Sequence, residues 1–297
     1  MPSNPNDIEN RVKRQLSDFP FSKRIKLVLG MLSLAVIPGL DSRPYQGQFG
    51  PKASRLGALV RNGLFGRAFV RRDHLTLRRY LSQYWGEYAT QFHTEWNDRF
   101  ERLFLGRDLV VIESLSTWLD ERTQAGAPVR HLYEIGCGGG RVLAYLANRF
   151  PQFEELIGID LGAERIAANR SLHTDPRLHF HATDAMKWIP AHAQPKSVFI
   201  ANGGVLEYFL EEELSRLFAW IATECAPTAV VFIETIGTDH DLDAEPQSLV
   251  YGREMSFSHN YPRLLEGAGF SIRHRSECEG DMRDGGGRWI RLVASVS

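Results

Sequence analysis

Residues Leu132–Leu146 read LYEIGCGGGRVLAYL: a short apolar run, a loop of Gly136, Cys137, Gly138, Gly139 and Gly140, then an amphipathic stretch. Glycine lets the backbone turn sharply and lets a ligand lie against the main chain. A helix starting there aims N–H groups at whatever occupies the loop. A nucleotide-containing ligand is the natural occupant. A dinucleotide fingerprint, however, requires glycine where Arg141 stands. Glu134, two residues ahead of the first glycine, would repel a pyrophosphate and suits a cationic group instead. Asp160 ends the run LIGID, twenty residues past Gly140, where a carboxylate can accept both hydroxyls of a ribose. Asp184, in HATDAMKW, is placed to accept from an adenine amino group. An aspartate at a strand end also serves as the N-cap of the next helix, so both roles stay open at Asp160 and Asp184.

These residues act together only if several strand ends meet. The second half of the chain alternates strand-like and helix-like segments. Strands are expected at 131–135, 156–160, 178–181, 197–201, 229–235, 270–275 and 288–296, and helices at 141–150, 163–170, 211–225 and 261–267. The nearly unbroken apolar run Ala229–Thr235 suits a central strand covered on both faces. The pattern predicts an α/β fold with a doubly wound, mostly parallel sheet. Earlier in the chain, Leu77, Leu81, Tyr84, Trp85, Tyr88 and Phe92 recur at helical spacing, and a further helix is expected over Leu109–Glu121. Residues Ile37–Gly66 carry three prolines and six glycines and read as loop.

The set Glu134, Gly136, Gly138 and Gly140 in the pattern E-x-G-x-G-x-G, with Asp160 after the second strand and Asp184 after the third, resembles the class I S-adenosylmethionine-dependent methyltransferases. The resemblance spans roughly Val129–Ser297. It implies a seven-stranded sheet whose last strand is antiparallel, in agreement with a closing hairpin around Gly285, Gly286 and Gly287. It implies S-adenosyl-L-methionine as cofactor, its methionine part held by Glu134 and the loop Gly136, Cys137, Gly138 and Gly140. Asp160 would hold the ribose, Leu161 would pack on the adenine, and Asp184 with Ala185 would hold the adenine edge. Residues 126–297 would be the catalytic domain. Residues 1–125 would be a mainly helical N-terminal region for lid, substrate, membrane or partner contact, with Tyr84 and Tyr88 as lid residues.

On the acceptor side the chain reads FIANGGVLEYF. Nucleic-acid amino methyltransferases resemble one another in carrying an Asn or acidic residue followed by Pro-Pro and an aromatic here, and this chain lacks that motif. The resemblance is to the small-molecule branch. Asn202 and Gly203 would border the cofactor, while Glu207 and Tyr208 would reach the acceptor. His259, in FSHNYPRLL, is the leading candidate base, because an unperturbed imidazole titrates near neutral pH. Ser258 or Asn260 would cap the helix that follows. Glu234, Asp239, His240, Asp241 and Asp243 invite a metal-site reading, but loops of this composition face water and no metal is expected. The implied activity is methyl transfer to O, N or C of a small or lipid-like metabolite. Two other classes stay open: an RNA or protein methyltransferase, and a non-catalytic S-adenosylmethionine-binding partner subunit.

The composition, 43% hydrophobic and 24% charged, excludes disordered, collagen-like and disulfide-scaffold proteins. Three cysteines without C-x-x-C spacing fit a reducing cytoplasm. The net charge of −1 hides a split. Residues 1–80 hold 15 basic against 5 acidic residues, and 131–297 hold 15 against 23. The basic part suits an anionic partner, so peripheral membrane contact and nucleic acid both come into view, the latter disfavoured by the missing motif. The run Leu27–Leu40 is too short to span a bilayer, which leaves a buried helix or a membrane-surface segment.

Overall fold

The apolar runs of the second half become the strands of one sheet. The computed structural model describes residues 19, 21–41, 53–95, 99–252, 254–280 and 287–297. The strands are β1 (His131–Ile135), β2 (Glu155–Asp160), β3 (Leu178–Ala182), β4 (Ser197–Asn202), β5 (Thr228–Ile236), β6 (Leu249–Tyr251), β7 (Ser256–Ser258), β8 (Ser271–Glu279) and β9 (Arg288–Val296). Seven of them form a sheet in the order β3-β2-β1-β4-β5-β9-β8, and β6 pairs with β7 alone. β1 to β5 run parallel, and β9 runs antiparallel to both β5 and β8. The expected sheet with an antiparallel last strand is therefore present. Gly285 and Gly286 of the closing hairpin lie outside the described residues.

The chain leaves β1 toward β2 and β3, then crosses back to β4 and β5. Ligands of such sheets bind where the winding reverses, outside the carboxyl ends of the strands. Side chains alternate across each strand, so each face receives its own apolar layer. One layer joins Leu132, Val198, Ile200 and Val231 to α4 (Leu109–Gln124) and α5 (Arg141–Arg149). The other joins Tyr133, Phe199, Val230 and Phe232 to α8 (Glu211–Glu224) and α9 (Tyr261–Gly267). α6 (Ala163–Leu172) and α7 (Ala185–His192) complete the crossovers.

Contacts divide the chain into two units, Met1–Tyr88 with Leu249–Ser258, and Ala89–Ser248 with His259–Ser297. The sequence pattern set a boundary at 125/126, whereas Ile112, Leu115 and Trp118 of α4 are core residues of the sheet-bearing unit.

The first unit contains α1 (Phe21–Val36), α2 (Arg55–Arg71), the hairpin β6–β7 and the start of α3 (His74–Glu95). The loop expected over Ile37–Gly66 is a correction: residues 42–52 lie outside the described residues, and the chain is helical from Arg55 onward. Ser54 caps α2 by accepting from Gly57 N at 3.0 Å. The glycines here permit helix contact rather than turns. A Cβ at Gly63 would stand 2.5 Å from Gly30 O of α1. No described helix is long and apolar enough to cross a membrane.

Candidate functional site

β1 delivers Glu134 and Ile135 to the sheet edge, and the backbone then turns through Gly136, Gly138 and Gly140 with φ of 71°, 47° and 70°. Side-chain-bearing residues rarely adopt these angles. At Gly136 a Cβ would also stand 2.5 Å from Val205 Cγ1. The loop is tied from several sides. Gly136 N and Cys137 N both donate to Ile159 O, at 2.7 and 3.1 Å. Asn169 Nδ2 donates to Gly138 O at 2.7 Å, and His173 Nε2 lies 2.9 Å from Gly139 O. Sequence reading missed Asn169 and His173, since a side chain that grips a distant backbone carbonyl follows no spacing rule. Parallel register sets Ile135 opposite both Ile159 and Ala201, so the ends of β1, β2 and β4 meet at this loop.

Glu134 is 2% exposed, and its Oε2 is buried without a hydrogen-bond partner. Burial, and then the charge of Asp160, push its carboxyl well above the usual carboxylate range, against the pull of the Leu143 N–H. A cation brought to this oxygen would relieve both penalties. Asp160 accepts from Gly162 N through Oδ1 at 2.8 Å and from Gly138 N through Oδ2 at 3.0 Å. Each oxygen keeps a second lone pair. Asp160 thus braces the loop and remains half-buried beside it. Leu161, next in the chain, is 41% exposed. Asp184 is the N-cap of α7, accepting from Met186 N at 3.0 Å, and the buried Ala185 follows it. A buried, orphaned carboxylate oxygen and a loop with no room for Cβ atoms fit a ligand that combines a cationic group with a hydroxyl-rich one.

On the neighbouring strand end, Gly203 N donates to Ile233 O at 2.9 Å, and Gly203 and Gly204 have φ of 96° and 79°. Asn202 is half-buried at the end of β4. A 3-10 turn at Leu206–Tyr208 holds Glu207 buried and Tyr208 half-buried. A Cβ at Gly204 would stand 2.7 Å from Glu207 Oε1, so the carboxylate of Glu207 folds back over that glycine. Glu234, read from sequence with an acidic loop, lies in β5 and turns inward. It accepts from Val205 N at 3.1 Å and Leu206 N at 2.9 Å. Burial pushes its carboxyl up to about 8, with the Glu207 charge adding to the effect. Among the described residues, no three His, Cys, Asp or Glu side chains are grouped to hold a metal ion.

His259 requires correction as a base. It is fully buried, with Nδ1 at 2.6 Å from Ser248 Oγ and Nε2 at 3.1 Å from Phe209 O. Burial pulls its imidazole down to about 3, which makes it a weak proton acceptor, and its two engaged ring nitrogens tie two loops together. Asn260 caps α9 by accepting from Arg263 N at 3.2 Å. Cys137 is buried, and burial followed by the charges of Glu134 and Asp160 keeps its thiol protonated. Tyr84, Trp85 and Tyr88 of the first unit pack on one another edge-on or tilted, with ring-centroid distances of 5.3–5.7 Å, and the Phe92 side chain lies outside the described residues.

Residues 132–228 match the family described as a methyltransferase domain. The chain is 34% identical over 114 residues to trans-aconitate 2-methyltransferase of Methylobacterium radiotolerans, across 35% of this chain and 42% of that protein. It is 30% identical over 119 residues to peramine synthetase of Metarhizium majus, across 31% of this chain and 4% of that protein. The chain therefore spans less than half the length of either curated relative. Among solved structures, it is similar to an S-adenosylmethionine-dependent methyltransferase of Clostridium acetobutylicum (TM-score 0.46, 10% identity, 69% of this chain and 99% of that one). It is also similar to human N-acetylserotonin methyltransferase (TM-score 0.43, 16% identity, 98% and 68%).

Proposed function

We propose, from the premise that residues 132–228 are a methyltransferase domain, that this chain transfers a methyl group from S-adenosylmethionine to O, N or C of a small or lipid-like metabolite. The observation that carries the reading is Glu134: a buried carboxylate with an orphaned oxygen, directly ahead of a glycine loop that Asp160 braces. S-adenosylmethionine, when bound, supplies an electrophilic methyl group on a sulfonium that leaves as a neutral thioether. Glu134 would take the ammonium of its methionine part, Asp160 the ribose hydroxyls, and Asp184 with Ala185 the adenine edge. Loop and strand ends held this rigidly supply positioning, and positioning can account for much of the rate of a displacement.

The acceptor reading rests on the turn after β4. With His259 fully buried and both its ring nitrogens engaged, Glu207 takes the place of the base for an acceptor O–H or N–H, and Tyr208 lines the approach. The lack of a Pro-Pro-aromatic sequence after Asn202, and the relative named for trans-aconitate, support a small molecule over a nucleic-acid amino group.

The test is incubation of the full chain with methyl-labelled S-adenosylmethionine and a cell extract. A labelled product of low mass, soluble in water or in organic solvent, is expected. Label in RNA or protein would replace the acceptor class. Cofactor that raises the melting temperature without label transfer would make the chain a binding subunit, and no melting shift at saturation would refute the cofactor itself.

A further inference from the structure

Helix α1 carries apolar side chains on two opposite sides. Leu27 and Gly30 are buried on the side facing α2, where Lys23 Nζ also donates to Asn62 Oδ1 at 3.3 Å. On the other side, Phe21, Ile25, Val28, Leu29, Leu32 and Val36 recur at i+4, i+3 or i+1 steps and form one continuous stripe. These six are 42–76% exposed. Single exposed apolar residues are ordinary, whereas a contiguous row marks a contact surface. At 3.6 residues per turn, Arg24 and Lys26 fall on opposite flanks of the stripe, each about 100° from its centre. The helix holds three basic residues and no acidic one.

An occupant must accept both the apolar row and the charge. A second copy of this chain would bring together two segments that each hold 15 basic against 5 acidic residues over their first 80 positions. An anionic lipid leaflet neutralises that charge while burying the stripe. Helices with this division of faces lie in the plane of the membrane interface. The helix is also not long and apolar enough to cross a bilayer. We propose that α1 docks the protein on an anionic membrane surface, with the Phe21–Val36 stripe among the acyl chains and Arg24 and Lys26 at the headgroups.

The inference uses nothing from the glycine loop, so it stands or falls separately from the methyl-transfer reading. The full-length chain is floated with vesicles of phosphatidylcholine mixed with phosphatidylserine, and with vesicles of phosphatidylcholine alone. It is expected to float with the first and not the second, and to be released by salt, which screens the attraction. Lys26→Glu changes two charges, each worth roughly fivefold near an anionic leaflet, so binding should weaken about 30-fold. Leu29→Ser with Leu32→Ser should also abolish flotation, while the chain keeps its cooperative melting transition because both side chains are more than half exposed. Equal binding to both vesicle types, or binding to neither, overturns the proposal. So does a vesicle-free dimer that the double serine variant turns into a monomer.

Discussion

Glu134→Gln exchanges one carboxyl oxygen for an amide nitrogen and removes a charge, with almost no change in shape. In the free protein the carboxyl titrates well above its ordinary 4.5, because burial and then Asp160 disfavour the charged form. A bound ammonium favours that form, so the same group titrates lower in the complex. Between those two values cofactor binding releases a proton from Glu134. Affinity then rises with pH, by up to tenfold per unit, and levels off above the free-state value. Glutamine keeps a hydrogen bond but not the charge assistance, a difference of about 1–2 kcal/mol, or roughly 5–30-fold in Kd on the plateau above the free-state value. The folding effect has the opposite sign. A carboxyl whose folded value is raised contributes its stability below 4.5 and loses it as pH rises through the folded value, so uncomplexed Glu134→Gln should melt above the parent at neutral pH. The assay is titration calorimetry with S-adenosylhomocysteine, which carries the same ammonium, in buffers of different ionisation enthalpy. Binding without proton release, together with unchanged affinity in Glu134→Gln across pH, would refute the assignment of Glu134 to the cation.

His259→Phe should lower stability by about 1–3 kcal/mol by stranding Ser248 Oγ and Phe209 O, while the pH–rate profile keeps its shape. The parent should lose stability as pH falls from 6.5 toward about 3, a loss the variant escapes; a vanished alkaline or acidic limb in its rate profile would restore the imidazole as base. Glu234→Gln has one acceptor oxygen for the Val205 and Leu206 N–H groups, so at acidic pH it should melt lower by about 1–3 kcal/mol. Because the parent loses stability as pH rises from 4.5 to about 8, the gap should close over that window in paired melting curves, and a gap that widens counts against the buried acid. Gly63→Ala gains helix propensity of about 1 kcal/mol but drives a Cβ to 2.5 Å from Gly30 O, and overpacking of this kind costs about 1–3 kcal/mol or more. Faster proteolysis within residues 21–71 is expected, and a more stable protein would show that α1 and α2 do not meet at these glycines.

What could be read from sequence depended on how far away each residue's partner lies. Gly136, Gly138 and Gly140 are demanded by their own backbone angles, and Asp184 caps a helix whose N–H is two residues on, so type and spacing carry both. The doubly wound, mostly parallel sheet followed for the same reason, since alternation of strand and helix is a local pattern that right-handed crossovers convert into parallel strands. His259 failed because its ring is claimed by Ser248, eleven residues back, and by the carbonyl of Phe209, fifty residues back. Nothing local distinguishes that imidazole from an exposed one. The glycines of α2 failed similarly: a chain of Gly57, Gly63 and Gly66 reads as turns until Gly30 is known to lie against Gly63. Glu234 shows the intermediate case, an acid correctly noticed but grouped with its sequence neighbours, when its strand aims it at the N–H groups of Val205 and Leu206. Buried polar groups must find partners, and the backbone is their commonest partner. Side chains that serve remote backbone therefore look like catalysts in a sequence. Glu234 and His259 are two such groups, the first holding the turn after β4 and the second the Phe209 carbonyl, while Asn169 and His173 do the same work on the glycine loop without having drawn notice.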